Sequence, residues 1–161
     1  MKRVACCIAA LVCLVLSGCT INAHLFLVQG PQASPDSPAG YSAKFVGSNS
    51  SGTFSGTLAN GEAFSGQWTP VPTGPANQAS ATDSSASPNI AAVWDTVYGQ
   101  GFYVAHILGE RDHIRSTMTG NQGTTLTVEV SWADANPGPQ AANKVKGVAE
   151  DSHGNIYKIT F

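Results

Sequence analysis

The 161-residue sequence predicts a mainly β fold, a small antiparallel barrel or sandwich of about seven strands with one short helix. Three observations support this prediction. Several short segments alternate between apolar and polar residues with a period of two, as strands with one buried face do. Turn residues separate these segments at intervals of about eight to twelve residues, which is typical of barrels and sandwiches. Charged residues make up only 11% of the chain, well below the usual quarter of about 25%.

The first predicted hairpin is centred on Asn60 and Gly61. The alternating segments 53–58 and 62–68 flank this pair, and a strand that starts at Tyr41 comes before them. Both residues of an Asn-Gly pair accept the positive φ angles of a type I′ turn, which makes the pair a strong hairpin signal. The side chains predicted to be buried are those of Phe54, Leu58, Phe64 and Trp68.

One helix is predicted at about residues 88–98. Ser87 is suited to cap its first turn, and Pro88 fits the first helical position. Apolar residues then recur at intervals of three and four, and Gly99 ends the pattern. The segment 102–108 is apolar enough for a buried strand, although it would also extend the helical region.

Two further hairpins are predicted in the C-terminal third of the chain. The first joins the segments 113–119 and 124–132, and the second joins the segments 144–150 and 155–161. Apolar and polar side chains alternate strictly in segment 124–132, so its polar residues form a set with a period of two. That polar set is Thr125, Thr127, Glu129 and Ser131.

The N-terminal segment has the layout of an export signal. Lys2 and Arg3 come first, an apolar run follows at residues 4–16, and small residues lead to Cys19. The run is shorter than the roughly twenty residues of a membrane-spanning helix. Its end, Leu16-Ser17-Gly18-Cys19, resembles the lipobox of bacterial lipoproteins.

This resemblance implies that residues 1–18 are removed as a signal peptide and that Cys19 carries lipid on its sulfur and its new amino group. Several acyl chains anchor a protein stably, whereas a single chain does so only marginally. The implied partner is therefore a membrane, in the bacterial envelope. Because Thr20 and not Asp follows the cysteine, the resemblance implies the outer membrane if the host is Gram-negative. In a Gram-positive host it implies the outer leaflet of the cytoplasmic membrane.

The rest of the chain divides into two predicted parts. Residues 19–40 are expected to be the lipidated terminus and an extended Pro/Ser spacer, although the apolar run 25–28 would also fit into the sheet. Residues 41–161 are expected to form a single β-rich domain. Within it, the Pro/Ala/Ser/Thr-rich segment 70–87 predicts a flexible surface loop.

Cysteine positions and charge exclude several classes of protein. All four cysteines lie within residues 1–19, so the exported domain has neither disulfides nor a cysteine metal site. Without residues 1–18 the chain has six basic and ten acidic residues. No cluster of Lys or Arg is present to neutralise a phosphate backbone, and nucleic-acid binding is not expected.

No motif for catalysis, a cofactor or a metal ion is found. The nucleophile elbow, the phosphate-binding loop and paired zinc-ligand histidines are all missing. The densest polar cluster extends from His106 to Arg115. A hydrolase would use His106 or His113 as a base, oriented by Glu110 or Asp112. The favoured interpretation is a turn in which these charges are solvated.

Four aromatic residues near the end of the predicted helix are candidate ligand-binding residues. They lie close enough in sequence to line an apolar pocket or to plug the open end of a barrel, and the plug is favoured. The four are Trp94, Tyr98, Phe102 and Tyr103.

The preferred functional hypothesis is a non-catalytic binding or assembly module on a lipid anchor, with no cofactor and no enzymatic activity. The first alternative is a carrier of a small apolar ligand in the mouth of the barrel, near Trp94 and Phe102. The second alternative is the hydrolase that uses His106 or His113.

Overall fold

A computed structural model describes residues 19–36, 40–48, 51–58, 60–71, 90–108, 113–132 and 145–161. The predicted signal peptide, residues 72–87 of the predicted loop and the first two residues of the predicted helix lie outside the described residues. The described strands are β1 (Cys19–Gln29), β2 (Tyr41–Ser48), β3 (Ser51–Thr57), β4 (Ala63–Pro70), β5 (His113–Thr119), β6 (Thr125–Trp132), β7 (Val145–Asp151) and β8 (Ile156–Thr160). The described helices are α1 (Ile90–Tyr98) and α2 (Phe102–His106).

The strands form one closed antiparallel barrel in the order of the sequence. Each strand pairs with the next along the chain, and β1 also pairs with β8 to close the sheet. Closure removes the unpaired edges that an open sheet would present to other chains. The prediction of a mainly β, antiparallel fold is confirmed, and of the barrel and the sandwich that it left open the barrel is observed, with eight described strands where about seven were expected.

The additional strand is β1. Its residues alternate, with Ala23 and Leu25 buried and His24 exposed between them. Residues 19–25 pair with β2, and most of residues 24–29 pair with β8. Residues 19–29 are thus a strand of the barrel and not part of a spacer. The apolar run 25–28 had left this alternative open. The sheet therefore begins at Cys19 and not at residue 41.

The segment that follows α1 is helical rather than extended. Residues 102–106 form α2, so the alternative that extended the helical region is the one observed. Gly101 precedes α2 with φ at 82°, a left-handed conformation that glycine adopts without a steric cost. This turn separates α2 from α1.

Apolar side chains fill the interior of the barrel. An eight-stranded barrel is just wide enough for side chains to fill, and Phe54, Leu126 and Tyr157 are completely buried. Gly52 faces the indole of Trp68, where an added Cβ would lie 2.6 Å from Nε1. The buried cluster consists of Ala23, Leu25, Ala43, Phe45, Phe54, Leu58, Phe64, Trp68, Ile114, Met118, Leu126, Val128, Val130, Ala149, Tyr157 and Ile159.

The alternating directions of the strands give the barrel two distinct ends. We call one the Cys19 end, because β1 starts there together with β3, β5 and β7. The connections that leave from it are residues 49–50, 71–112 and 133–144. We call the other the turn end, and its connections are residues 30–40, 58–62, 120–124 and 152–155.

A buried carboxylate joins two loops of the turn end. Glu62 is completely buried, and its Oε1 accepts hydrogen bonds from the backbone N–H groups of Gln122 (2.9 Å) and Thr124 (3.0 Å). Asn60 donates to the other oxygen at 3.2 Å. Burial acts to raise the pKa of Glu62, but the hydrogen bonds from Thr124, Gln122 and Asn60 together hold it below its ordinary value.

A second buried carboxylate, that of Asp151, organises the turn after β7, and Asn155 connects this turn to the one after β1. Asp151 accepts hydrogen bonds from the Nδ2 of Asn155 at 2.8 Å and from the hydroxyl of Tyr157 at 3.1 Å. The side-chain oxygen of Asn155 accepts from the backbone N–H of Gln32 at 2.9 Å, which ties the turn after β7 to the turn after β1. The turn end is therefore held by polar contacts between loops that are distant in sequence.

Replacing Glu62 by Gln is expected to destabilise the fold in a pH-dependent way. The folded-state pKa of Glu62 is lowered, so its stabilising effect is complete above the unfolded value of about 4.5 and is lost as the pH falls through the folded value. In urea titrations, Glu62→Gln should lower the free energy of unfolding at pH 7, and the deficit should shrink toward pH 3. Asp36→Asn, at an exposed turn carboxylate, is the control. An equal deficit at both pH values would contradict this role.

Candidate functional site

The helices α1 and α2 pack on the outer wall of the barrel. Val128 and Val130 of β6 belong to the interior cluster, so Glu129 between them points to the outside. Trp94 of α1 contacts Glu129 and is completely buried. The apolar contacts of this second cluster are formed by Ile90, Val93, Trp94, Ile107, Val148 and Ile156, with Val97, Tyr98, Phe102 and Tyr103 packed against them.

Three of the four predicted aromatic residues form a continuous stack. The ring centroids of Trp94 and Tyr98 are 5.4 Å apart, those of Tyr98 and Phe102 are 4.8 Å apart, and those of Trp94 and Phe102 are 6.0 Å apart. His106 extends the stack, with its ring 4.6 Å from that of Phe102. Stacked pairs of this kind contribute about 0.5–1.5 kcal/mol beyond the burial of area. The stack therefore fixes α2 against α1.

The stack lies beside a buried ion pair that the sequence did not indicate. Glu129 is completely buried, and its Oε2 accepts hydrogen bonds from Nε (2.8 Å) and Nη2 (2.7 Å) of Arg115. Its Oε1 accepts from the indole N–H of Trp94 at 3.1 Å. Both carboxylate oxygens are thus engaged, as a buried charge requires. We call Trp94, Tyr98, Phe102, Tyr103, Arg115 and Glu129 the outer-wall cluster.

Asp95 joins the two helices through the backbone. Its carboxylate accepts hydrogen bonds from the N–H groups of Tyr103 (2.9 Å) and Gly101 (3.0 Å), at the start of α2. These bonds hold the pKa of Asp95 below its ordinary value and outweigh the opposing effect of burial. Negative charge at the start of a helix also interacts favourably with the helix dipole. Asp95 accounts for the sharp turn between α1 and α2.

The two tyrosines of the cluster are held in their neutral form. Burial raises the pKa of Tyr98 to about 12, and its hydroxyl donates to the carbonyl oxygen of Gly147 at 3.4 Å. Burial also raises the pKa of Tyr103, and the negative charge of Glu129 adds to the effect. The ammonium group of Lys158 lies 5.3 Å from the ring centroid of Tyr98, a cation–π distance. Hydrogen bonding, packing and charge therefore all secure the helices to the wall.

The position of the cluster corrects the prediction that the helix plugs the open end of the barrel. Trp94, Tyr98, Phe102 and Tyr103 come together as predicted, but they do so on the outer wall and not at the mouth. The apolar stripe of α1 packs against Val148 and Ile156, which face outward on β7 and β8. The interior is already filled by the strands' own side chains, so the helix adds a layer outside the sheet.

The two candidate histidines lie on different elements. His106 is exposed on α2 and stacks on Phe102, whereas His113 is buried at the start of β5, opposite Ser131. Glu110, Arg111 and Asp112, the other charged residues of that predicted cluster, lie outside the described residues. Glu129, the buried acid of this wall, is engaged by Arg115 and Trp94.

Cys19, the predicted site of lipidation, is the first residue of β1. Its backbone lies opposite Gly47 of β2, and Thr20 lies opposite Val46. The predicted anchor therefore joins directly to the wall of the barrel, without an intervening spacer.

Replacing Glu129 by Gln is expected to destabilise the protein, whereas the same replacement of Glu150 on the adjacent strand β7 is not. Glu129→Gln leaves the half-exposed Arg115 without its charge partner, which should lower the free energy of unfolding by about 1–3 kcal/mol at pH 7. Burial and the charge of Asp151 raise the pKa of Glu150, so Glu150→Gln removes an unfavourable charge and should be neutral or slightly stabilising. Urea denaturation of both variants measures the difference. Equal decreases in the free energy of unfolding of the two variants would contradict a specific role of Glu129 in stabilising the packing of α1 on the barrel.

Among the residues described, no helix is both long enough and apolar enough to cross a membrane. Within the same ranges, no group of three or more His, Cys, Asp or Glu side chains is placed to hold a metal ion. Comparison of the chain with protein-family models, curated proteins and solved structures finds no match.

Proposed function

We propose that this chain is a lipid-anchored protein of the bacterial envelope, whose barrel is a non-catalytic binding or assembly module. The observation that carries the proposal is the N-terminal order of residues. A basic pair, an apolar run of limited length and Leu16-Ser17-Gly18-Cys19 follow one another as in bacterial lipoproteins. Acylation of Cys19 attaches the barrel to a membrane, and the absence of Asp at position 20 directs it to the outer membrane of a Gram-negative host.

The position of β1 supports cleavage before Cys19. A cut at this bond leaves all of β1 (Cys19–Gln29) in the mature chain. A cut several residues later would delete part of a strand that pairs with both β2 and β8. Cleavage at the proposed site therefore retains every described strand of the barrel.

The outer wall supports binding rather than chemistry. The side chains of Val104 and Leu108 are 68% and 41% exposed, and the adjacent Phe102 is half-buried. These residues lie on or just after α2, which Asp95 and the aromatic stack hold in one position. Apolar side chains that are exposed on a fixed element suit contact with another protein of the envelope. The charged side chains of Arg115 and Glu129 serve to hold the helices in place, because both carboxylate oxygens of Glu129 already accept hydrogen bonds from Trp94 and Arg115.

The proposal predicts that Cys19→Ala abolishes lipid attachment. Without the cysteine sulfur no diacylglycerol can be added, so the chain should accumulate as an uncleaved precursor that incorporates no labelled palmitate. Metabolic labelling and the intact mass of the membrane-fraction protein provide the measurement.

Cys13→Ala is the matched control, because Cys13 lies in the same apolar segment and precedes the proposed cleavage site. That variant should be processed and labelled like the parent. Continued labelling of Cys19→Ala, or a mature parent chain that begins at another residue without lipid, would contradict the proposal.

A further inference from the structure

The Cys19 end of the barrel has an apolar rim. Ile21 is 41% exposed and Val46 is 39% exposed, and both lie close to the start of β1. Trp132, Val145 and Phe161 lie at the same end and are only partly buried. We call these five residues the rim.

The exposed residues at the opposite end have a different chemistry. Its turns present mainly polar side chains and glycine, together with the exposed Pro31, Ala33 and Pro35, and Val28 near the end of β1 is 45% exposed. The exposed turn residues of this end include Gln32, Ser34, Asp36, Asn60, Gly61, Asn121, Gln122, Gly123, Ser152, His153 and Gly154. The feature that distinguishes the Cys19 end is therefore its direct connection to the proposed anchor.

We propose that the rim rests on the phospholipid surface to which Cys19 is attached, so that the barrel stands on the membrane with its turn end outward. This inference rests on the proposed lipidation of Cys19. The part of the bilayer that contacts the rim is the headgroup and upper acyl-chain region.

The chain between the proposed anchor on Cys19 and the nearest rim residues is short. An extended chain advances at most about 3.3–3.6 Å per residue, so Ile21 lies within about 7 Å of the acylated residue. The headgroup region on one side of a bilayer is about 5–8 Å thick. Val46 is equally close, because it lies opposite Thr20 on the neighbouring strand. A barrel attached through Cys19 therefore has Ile21 and Val46 of the rim at the depth of the headgroups.

The side chains of the rim are of types that favour a membrane interface. Tryptophan is enriched at membrane interfaces, where its ring contacts apolar groups and its N–H meets polar ones. Aliphatic side chains such as Ile21 and Val46 gain free energy when lipid replaces water around them. The contact need not be strong by itself, because the anchor keeps the rim at a high effective concentration next to the bilayer.

Fluorescent probes at single cysteines provide the test. The mature chain has no thiol besides Cys19, whose sulfur is blocked by lipid, so an introduced cysteine is labelled uniquely. Val46→Cys places an environment-sensitive dye at the rim, Ser152→Cys places it at the turn end, and Val104→Cys places it on the outer wall. The acylated full-length mature protein is reconstituted in phosphatidylethanolamine–phosphatidylglycerol vesicles that contain a headgroup-region spin-labelled lipid. Intact mass first confirms the acyl groups, and thermal unfolding confirms that each labelled protein folds like the parent.

The dye at Val46 should be quenched several-fold more than the dye at Ser152 or Val104. Equal quenching at Val46 and Ser152 would overturn the proposal, and so would stronger quenching at Val104, since the barrel would then lie on its side. If labelling at Val46 disturbs folding, Thr53→Cys, opposite Val46 on β3, and Gln122→Cys at the turn end provide a second pair of positions. Absence of acyl groups on Cys19 would instead refute the proposed function, so the two failures are distinguishable.

Discussion

The pairing of β1 with both β2 and β8 is the constraint on which the rest of the structure depends. Without β1, strands β2 and β8 would each expose an unpaired edge, and the interior side chains of Ala23 and Leu25 would be missing. The same pairing fixes the position of Cys19 at the edge of the barrel. An anchor on this residue would therefore orient the domain, whereas an anchor on a flexible spacer would leave the domain free to rotate.

Most of the sheet was predictable from local signals. The Asn60-Gly61 turn and the alternating segments on either side of it correspond to β3 and β4, and the last two predicted hairpins correspond to β5–β8. The strand β1 was ambiguous, because its apolar residues adjoin a Pro/Ser stretch that is typical of a spacer. Its assignment depends on contacts with β8, more than 120 residues away, and no local pattern reports such a pairing.

The aromatic members of the candidate site were predicted, but their place on the outer wall was not. The spacing of Trp94, Tyr98 and Phe102 indicated that they would meet, and they stack as expected. The sequence did not show on which side of the sheet the helix packs. The position of Glu129 in the polar set of β6 was the available signal, since a charged residue opposite Arg115 predicts an ion pair once the register of β5 and β6 is known. Its complete burial follows from the helices that cover it, and that required the tertiary structure.

Native-state hydrogen exchange along β1 tests the central claim most directly. Residues 24 and 25 pair with both β2 and β8, and residues 26 and 27 pair with β8, so the backbone amides of residues 24–27 should exchange as slowly as those of the central residues of β2 and β8. Exchange at the rate of an unstructured chain, with β2–β8 still protected, would show that residues 19–29 form a spacer. The closed barrel and the orientation derived from it would then be wrong.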